Sequence, residues 1–331
     1  KVNNILSEFN AQLMSSAMHP FMNPLTDTKI WPYDSSEIYQ LYHKIFSCQG
    51  HGWSNLQSIH INLPFKDDDE FGRLHAAIRL ILPIIPAISA SSPIVEYKPT
   101  GLMDNRLMYY LNNQKKVPQI CADLIPEPIF TKSDYQQKIL NLIYQNIKPY
   151  DTKGILQHEW LNSRGAIARF TRNTIEIRVI DIQESVVADF SVVALIISAI
   201  YALVKEKWIS YKKQQQVNTD LLKDIFLKVV KDGSHTCIDN RIYLSCFNIN
   251  SSHPYRVIDI WKKIIDDVNK SNDSQEYFVQ DFQSELDIIL NQGALSHRIL
   301  KSLNNDYSFN NITQIYKKLS NNLSQCQMFI V

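Results

Sequence analysis

The chain has 331 residues, 45% of them hydrophobic and 20% charged, a composition with enough apolar material for a large core, and intrinsic disorder is excluded. Lysine and arginine number 34 against 33 aspartates and glutamates, a net charge of +1, so no global field draws nucleic acid or an anionic membrane. Only 8 glycines occur, about 2% against an average of roughly 7%, and neither GxGxxG nor GxxxxGK is present to cradle phosphate.

The opening KVNNILSEFN has neither the apolar run nor the cleavage pattern of a signal peptide, and Lys1 in place of Met reads as a processed chain or one whose beginning is missing. Cys48, Cys121, Cys237, Cys246 and Cys326 are an odd, scattered set without a CxxC pair, which fits a reducing cytosol. No linker, repeat or low-complexity stretch divides the sequence, so one domain over 1–331 is expected. Its 1–184 part mixes strands and helices, its 185–331 part is mainly helical, and the fold class is α+β.

In chain order, His19 between Met18 and Pro20 reads as a hydrogen-bonding turn residue ahead of a metal ligand. At 57–63 the alternation places Ile59, Ile61 and Leu63 on a core face and Ser58, His60 and Asn62 on a polar one. Asp67, Asp68, Asp69 and Glu70 suit a helix N-terminus. They lead into an amphipathic helix over 69–82 carrying Phe71, Leu74, Ile78, Ile81 and Leu82, which Pro83 and Pro86 break. Ser89, Ser91 and Ser92 lack a nucleophile-elbow context. His158 and Glu159 fall on opposite faces if extended, so one of them at most joins a site.

Within 164–178, Arg164, Arg169, Arg172 and Arg178 place four guanidinium groups in fifteen residues, with Arg172 in a turn and the others available for anions. The 174–181 strand sets Ile175, Ile177 and Val179 on one face and Thr174, Glu176 and Arg178 on the other. Strict alternation puts Asp181 opposite Glu176, where it would cap the next helix. The run 190–204, headed by Asp189, is too short to span a bilayer and reads as a buried helix against the sheet. Helices are further expected over 183–205, 219–231, 255–269, 275–290 and 311–319. The SHTC at 234–237 and His253 complete no zinc set. A lone histidine or glutamate in a strand is ordinarily solvated surface; two such strands together point to a shared polar site, where imidazole and carboxylate supply metal ligands and Arg178 a phosphate contact.

MHPFMNP at 18–24, SIHINLPF at 58–65, SASSPI at 89–94, GLMDNR at 101–106 and IEIRVIDIQE at 175–184 resemble, in order and spacing, the carboxylate-amine ligases of glutamate-cysteine ligase family 2. The resemblance runs from about Met18 to Trp208. It implies an antiparallel sheet of the glutamine synthetase and glutamate-cysteine ligase catalytic type with packed helices. It also implies ATP-dependent amide formation through an acyl phosphate, with ATP and Mg²⁺, and with glutamate and an amine such as cysteine as substrates. By motif, His60 and Glu176 would be metal ligands and Arg178 the phosphoryl contact. Arg106 would hold a carboxylate or phosphate, and Asn62, Arg164 and Arg169 would join substrate or nucleotide binding. No nucleic acid or membrane partner is implied, and a homo-oligomer is left open.

The family's opening Gly-x-Glu-x-Glu strand and its second acidic strand have no counterpart here. The N-terminal part of the sheet is therefore expected to be missing and this chain alone inactive. A degenerate, noncatalytic nucleotide- or amino-acid-binding protein is the alternative, and metal-dependent hydrolysis ranks last. The decisive structural expectation is that the His60 and Glu176 strands are antiparallel neighbours with their polar faces on one cavity.

Overall fold

The computed structural model describes residues 2–271 and 277–331. Its main sheet has three antiparallel strands, β1 (Ser58–Pro64), β2 (Ala166–Arg169) and β3 (Thr174–Asp181), in the order β1-β3-β2. Two further ladders, Ile94–Val95 with Lys98–Pro99 and Cys237–Ile238 with Tyr255–Arg256, are two residues long. The longer helices are α1 (Ser36–Phe46), α2 (Asp68–Ile81), α3 (Asn105–Leu111), α4 (Val186–Val204), α5 (Thr219–Asp232), α6 (Val257–Asn269), α7 (Gln283–Gln292), α8 (Leu295–Leu303) and α9 (Phe309–Gln325). The architecture is α+β, with strands confined to the first part apart from the Cys237–Ile238 ladder.

The acidic run does start α2: the Asp67 carboxylate accepts the Glu70 amide at 2.9 Å, and the proline-rich turn follows directly as the 3-10 helix Leu82–Ile84. The apolar face of β3 packs beneath α2 and the short helix Pro86–Ser89, with Ile175, Ile177, Val179 and Ile180 fully buried. The expectation for 190–204 needs correction on two points. The helix is Val186–Val204, within the 183–205 expected, and by its 19-residue length and mean hydropathy alone it could cross a membrane, for which the apolar run itself reads as too short. It is instead packed inside the protein, against α2, α6 and α7 rather than on the sheet, with Val186 and Phe190 at its exposed end. Its N-cap is Ser185, whose Oγ accepts the Ala188 amide at 3.3 Å, so Asp181 does not cap it.

The helix expected over 255–269 begins at Val257, after the Tyr255–Arg256 strand. The start at Gln275 lies outside the described residues, and α7 begins at Gln283 after a 3-10 turn. A second apolar cluster, with Leu295, Ile299, Ile312, Ile315 and Leu319, joins α8 to α9. It is tied to the sheet end by an ion pair with no solvent exposure, Glu184 with Arg298. Arg298 also donates to the Phe329 carbonyl at 2.6 Å, and the Phe329 amide donates to Glu184 at 3.1 Å.

On α2, His75 is fully buried and neither ring nitrogen has a hydrogen-bond partner. Its ring stacks on Phe71 at 5.5 Å and meets Tyr135 edge-on at 5.8 Å, and burial pushes its pKa down to about 3. Between pH 6.5 and that value the unfolded chain binds a proton that the folded chain refuses, so stability falls as pH falls. His75→Phe keeps the ring contacts and removes the titration. Urea unfolding is expected to show the variant at least as stable as wild type at pH 7.5 and ahead of it by about 2 kcal/mol at pH 5.

Candidate active site

Residues paired across antiparallel strands point to the same side of the sheet. Asn62 pairs with Glu176 and Ile61 with Ile177, whereas Ile59 pairs with Ile180 and Ser58 with Asp181. One extra residue is therefore inserted on β3 opposite His60, a β-bulge. It returns Asp181 to the side of Ser58, Asn62 and Glu176, correcting the reading that set Asp181 opposite Glu176. β2 continues the same face, since Arg169 pairs with Thr174. At the start of β2, Gly165 donates to Leu124 at 2.7 Å and its carbonyl accepts the Arg178 amide at 2.8 Å. A Cβ at Gly165 would stand 2.7 Å from Val179 Cγ1, so the glycine is what lets the strands close at Arg178.

On this face Glu176 is the centre. Its carboxylate lies 3.3 Å from His60 Nδ1, 3.3 Å from Arg178 Nε and 3.1 Å from Arg169 Nη1. The Arg169 contact is a formed hydrogen bond, while Arg178 Nε is not aligned for one. The hydrogen bond from His60, with help from the two guanidinium charges, holds the Glu176 carboxyl below the usual range. Two permanent cations and an imidazole thus face Glu176, and Glu159 stands 3.9 Å from Arg169 Nε as a second carboxylate at the rim. Arg178 also donates Nη1 to the Asn162 carbonyl at 3.2 Å. Asn62 lies exposed at the edge, accepting the Thr174 hydroxyl at 3.2 Å. The expected neighbours are therefore together, with side chains in contact.

Arg164 and Arg106 stand apart from this set. Arg164 is buried in a fork-to-fork pair with Glu127, at 2.7 and 2.6 Å, and its remaining Nη1 reaches the Gln119 carbonyl and Asn162. Arg106 is buried against Asp181, which also accepts the Ser91 amide at 2.8 Å and the Ser92 hydroxyl at 3.2 Å. Burial raises the Asp181 carboxyl, opposed by the Arg106 charge. Nearby Asp104 is held well above the carboxylate range by burial and by Asp181. Arg172 is exposed. His19 closes a local turn, accepting the Phe21 amide at 3.2 Å. His158 stacks on Trp160, and Glu159 accepts the Thr171 amide and hydroxyl; they are the N-cap and first residue of the 3-10 turn Glu159–Leu161 rather than part of a strand.

Hard Mg²⁺ calls for several oxygen ligands in octahedral array. The donor set here is one carboxylate already answered by two arginines, plus one imidazole. Among the described residues no group of three or more His, Cys, Asp or Glu converges to hold a metal. These residues do not make a magnesium site by themselves.

Sequence reasoning missed the aromatic side chains beside Arg178. Tyr42, Trp53, Tyr110 and Trp160 line a cleft that ends at that arginine. They come from four separate segments with no shared motif, so only folding assembles them.

The fold and this face together define an α+β protein with a sheet-borne, guanidinium-rich site. Comparison with protein families makes the class particular: residues 1–225 match the model of glutamate-cysteine ligase family 2, and the chain belongs to that family of ligases. A protein of Archaeoglobus fulgidus described as uncharacterized is 42% identical over 197 residues, 59% of this chain and 52% of the relative. The chain thus spans about half the length of the curated relative it matches.

The Arg106–Asp181 pair is expected to act on stability. Asp181→Ala leaves a buried guanidinium without its counter-charge and should cost about 3–5 kcal/mol in urea unfolding. Adding Arg106→Met should restore much of that loss.

Proposed function

We propose that the protein is an ATP-dependent carboxylate-amine ligase of the glutamate-cysteine ligase type, working on small amino acids in the cytoplasm. The observation that carries the reading is the pair of guanidinium groups, Arg169 and Arg178, gathered about Glu176 on the polar strand face, in a chain of this family. In such a reaction the γ-carboxylate of glutamate attacks the terminal phosphorus of ATP, the bond to ADP breaks, and an acyl phosphate forms. The amine then attacks the carbonyl carbon, phosphate departs and the amine proton passes to solvent.

Charge accumulates on the transferred phosphoryl oxygens, and catalysis consists mainly of positioning and neutralising it. A guanidinium fork with fixed donors suits that task better than a flexible ammonium. Asn162 and Glu176 orient Arg178 from two sides, which supports giving it the phosphoryl contact, with Arg169 beside it. His60 and Asn62 border the same face and would meet the substrate.

A noncatalytic nucleotide- or amino-acid-binding protein is the second reading, favoured by the carboxylates on that side being already paired with arginines, Glu176 and Glu159 with Arg169, and Asp181 with Arg106. The two differ in turnover. With ATP, Mg²⁺, glutamate and an amine, the 331-residue chain is expected to bind ATP without releasing ADP, because its own residues do not assemble the metal ligands. Glutamate- and amine-dependent ADP release would support ligation by this chain and remove the noncatalytic reading. Absence of ATP binding would overturn the ligase reading and the nucleotide-binding form of the second. In any active form carrying this segment, Arg178→Lys should lower kcat by about a hundredfold while leaving Tm within a few degrees of wild type.

A further inference from the structure

The cleft beside Arg178 has a volume of about 810 Å³. It runs between α1, the short helix His51–Ser54, α3 and the Glu159–Leu161 turn, each of which contributes an aromatic ring. The rings brace one another: Tyr42 meets Trp53 at 5.4 Å and Trp160 at 6.1 Å, and Phe46 stacks on Trp53 at 5.8 Å. At the inner end the Arg178 guanidinium lies 6.0 Å from the Tyr110 ring centre. The other charged side chains along the cleft are Asp27 and Lys29. Burial keeps the Tyr42 phenol and the Cys48 thiol neutral, the thiol being pushed up to about 11.

We propose that this cleft is the subsite for an amine acceptor with an aromatic body, such as an aromatic amino acid or an arylalkylamine. Its role as acceptor subsite rests on the ligase reading; the preference for an aromatic body rests on the cleft alone. A triphosphate would bring several negative charges to a cleft with one inner cation, so a nucleotide is poorly matched. A cysteine side chain would leave most of the aromatic wall in water. A phenyl or indole ring would bury that wall and meet it edge-to-face. With the body so placed, the amine points to Arg178, where the acyl phosphate would stand. The positive charge there disfavours the ammonium form and favours the neutral nucleophile.

The test is isothermal titration of the 331-residue chain with L-phenylalanine, L-alanine and L-cysteine, which share amine and carboxylate and differ in the side chain. Phenylalanine is expected to bind at least about tenfold more tightly than either of the others. The preference should collapse in Trp160→Ala and return in Trp160→Phe. Equal affinities, a preference for cysteine, or a preference unchanged in both Trp160→Ala and Trp53→Ala would overturn the proposal. Competitive displacement of phenylalanine by ATP would also overturn it, giving the cleft to the nucleotide. Selective phenylalanine binding by a chain that does not bind ATP would keep this inference and remove the ligase reading. ADP release with glutamate and cysteine, without selectivity for phenylalanine, would do the reverse.

Discussion

The carboxylate of Asp181 is the point on which the first two hundred residues close. Four segments distant in sequence hang on it. β3 delivers it, Arg106 from α3 neutralises it, and Ser91 and Ser92 from the turn after Pro86–Ser89 donate to it. The Ser91 hydroxyl in turn accepts the Ala17 amide at 2.9 Å, and the Ala17 carbonyl accepts the amide of Gln57 just before β1. A buried charge is tolerated only where its lone pairs are filled, so the stretches SASSPI, GLMDNR and the β3 motif answer a single electrostatic requirement. Arg106 also donates Nη1 to the Arg178 carbonyl at 3.3 Å, which passes the rigidity of the buried node to the residue facing the cleft.

Glu176 plays the complementary part on the accessible side. It stands between Arg169 and Arg178 and offsets their mutual repulsion, with Glu159 3.9 Å from Arg169 Nε on the other side. The low carboxyl pKa follows from that arrangement: His60 contributes most, and burial opposes without winning. The carboxylate is therefore ionised at neutral pH and serves as the fixed reference against which the arginine forks are aimed.

The sequence made this face legible because a period of two is a strong signal where both faces differ in polarity. His60, Asn62, Glu176 and Arg178 could be assigned to one side from alternation alone. What alternation could not show is a break in itself. The bulge opposite His60 leaves no mark in composition, so Asp181 was placed one face out and given a capping role that Ser185 fills. The burial of Arg164 in an ion pair was hidden for another reason: its partner Glu127 lies 37 residues away, and a long-range pair has no local pattern. The apolar run of α4 announced burial but not its neighbours, since a helix apolar all round does not state which surface it meets.

The Glu184, Arg298 and Phe329 latch has a consequence for how the molecule is made. Glu184 lies three residues beyond Asp181, yet its partners follow it by 114 and 145 residues. During synthesis at a ribosome the sheet and α4 emerge long before the groups that neutralise Glu184. Until then, a carboxylate destined for complete burial has no counter-charge and the sheet end stays open. The nascent intermediate thus exposes an incomplete core of the kind that chaperones hold. Locking of the sheet end is consequently a late event in biogenesis, completed only when the far C-terminal helices reach it.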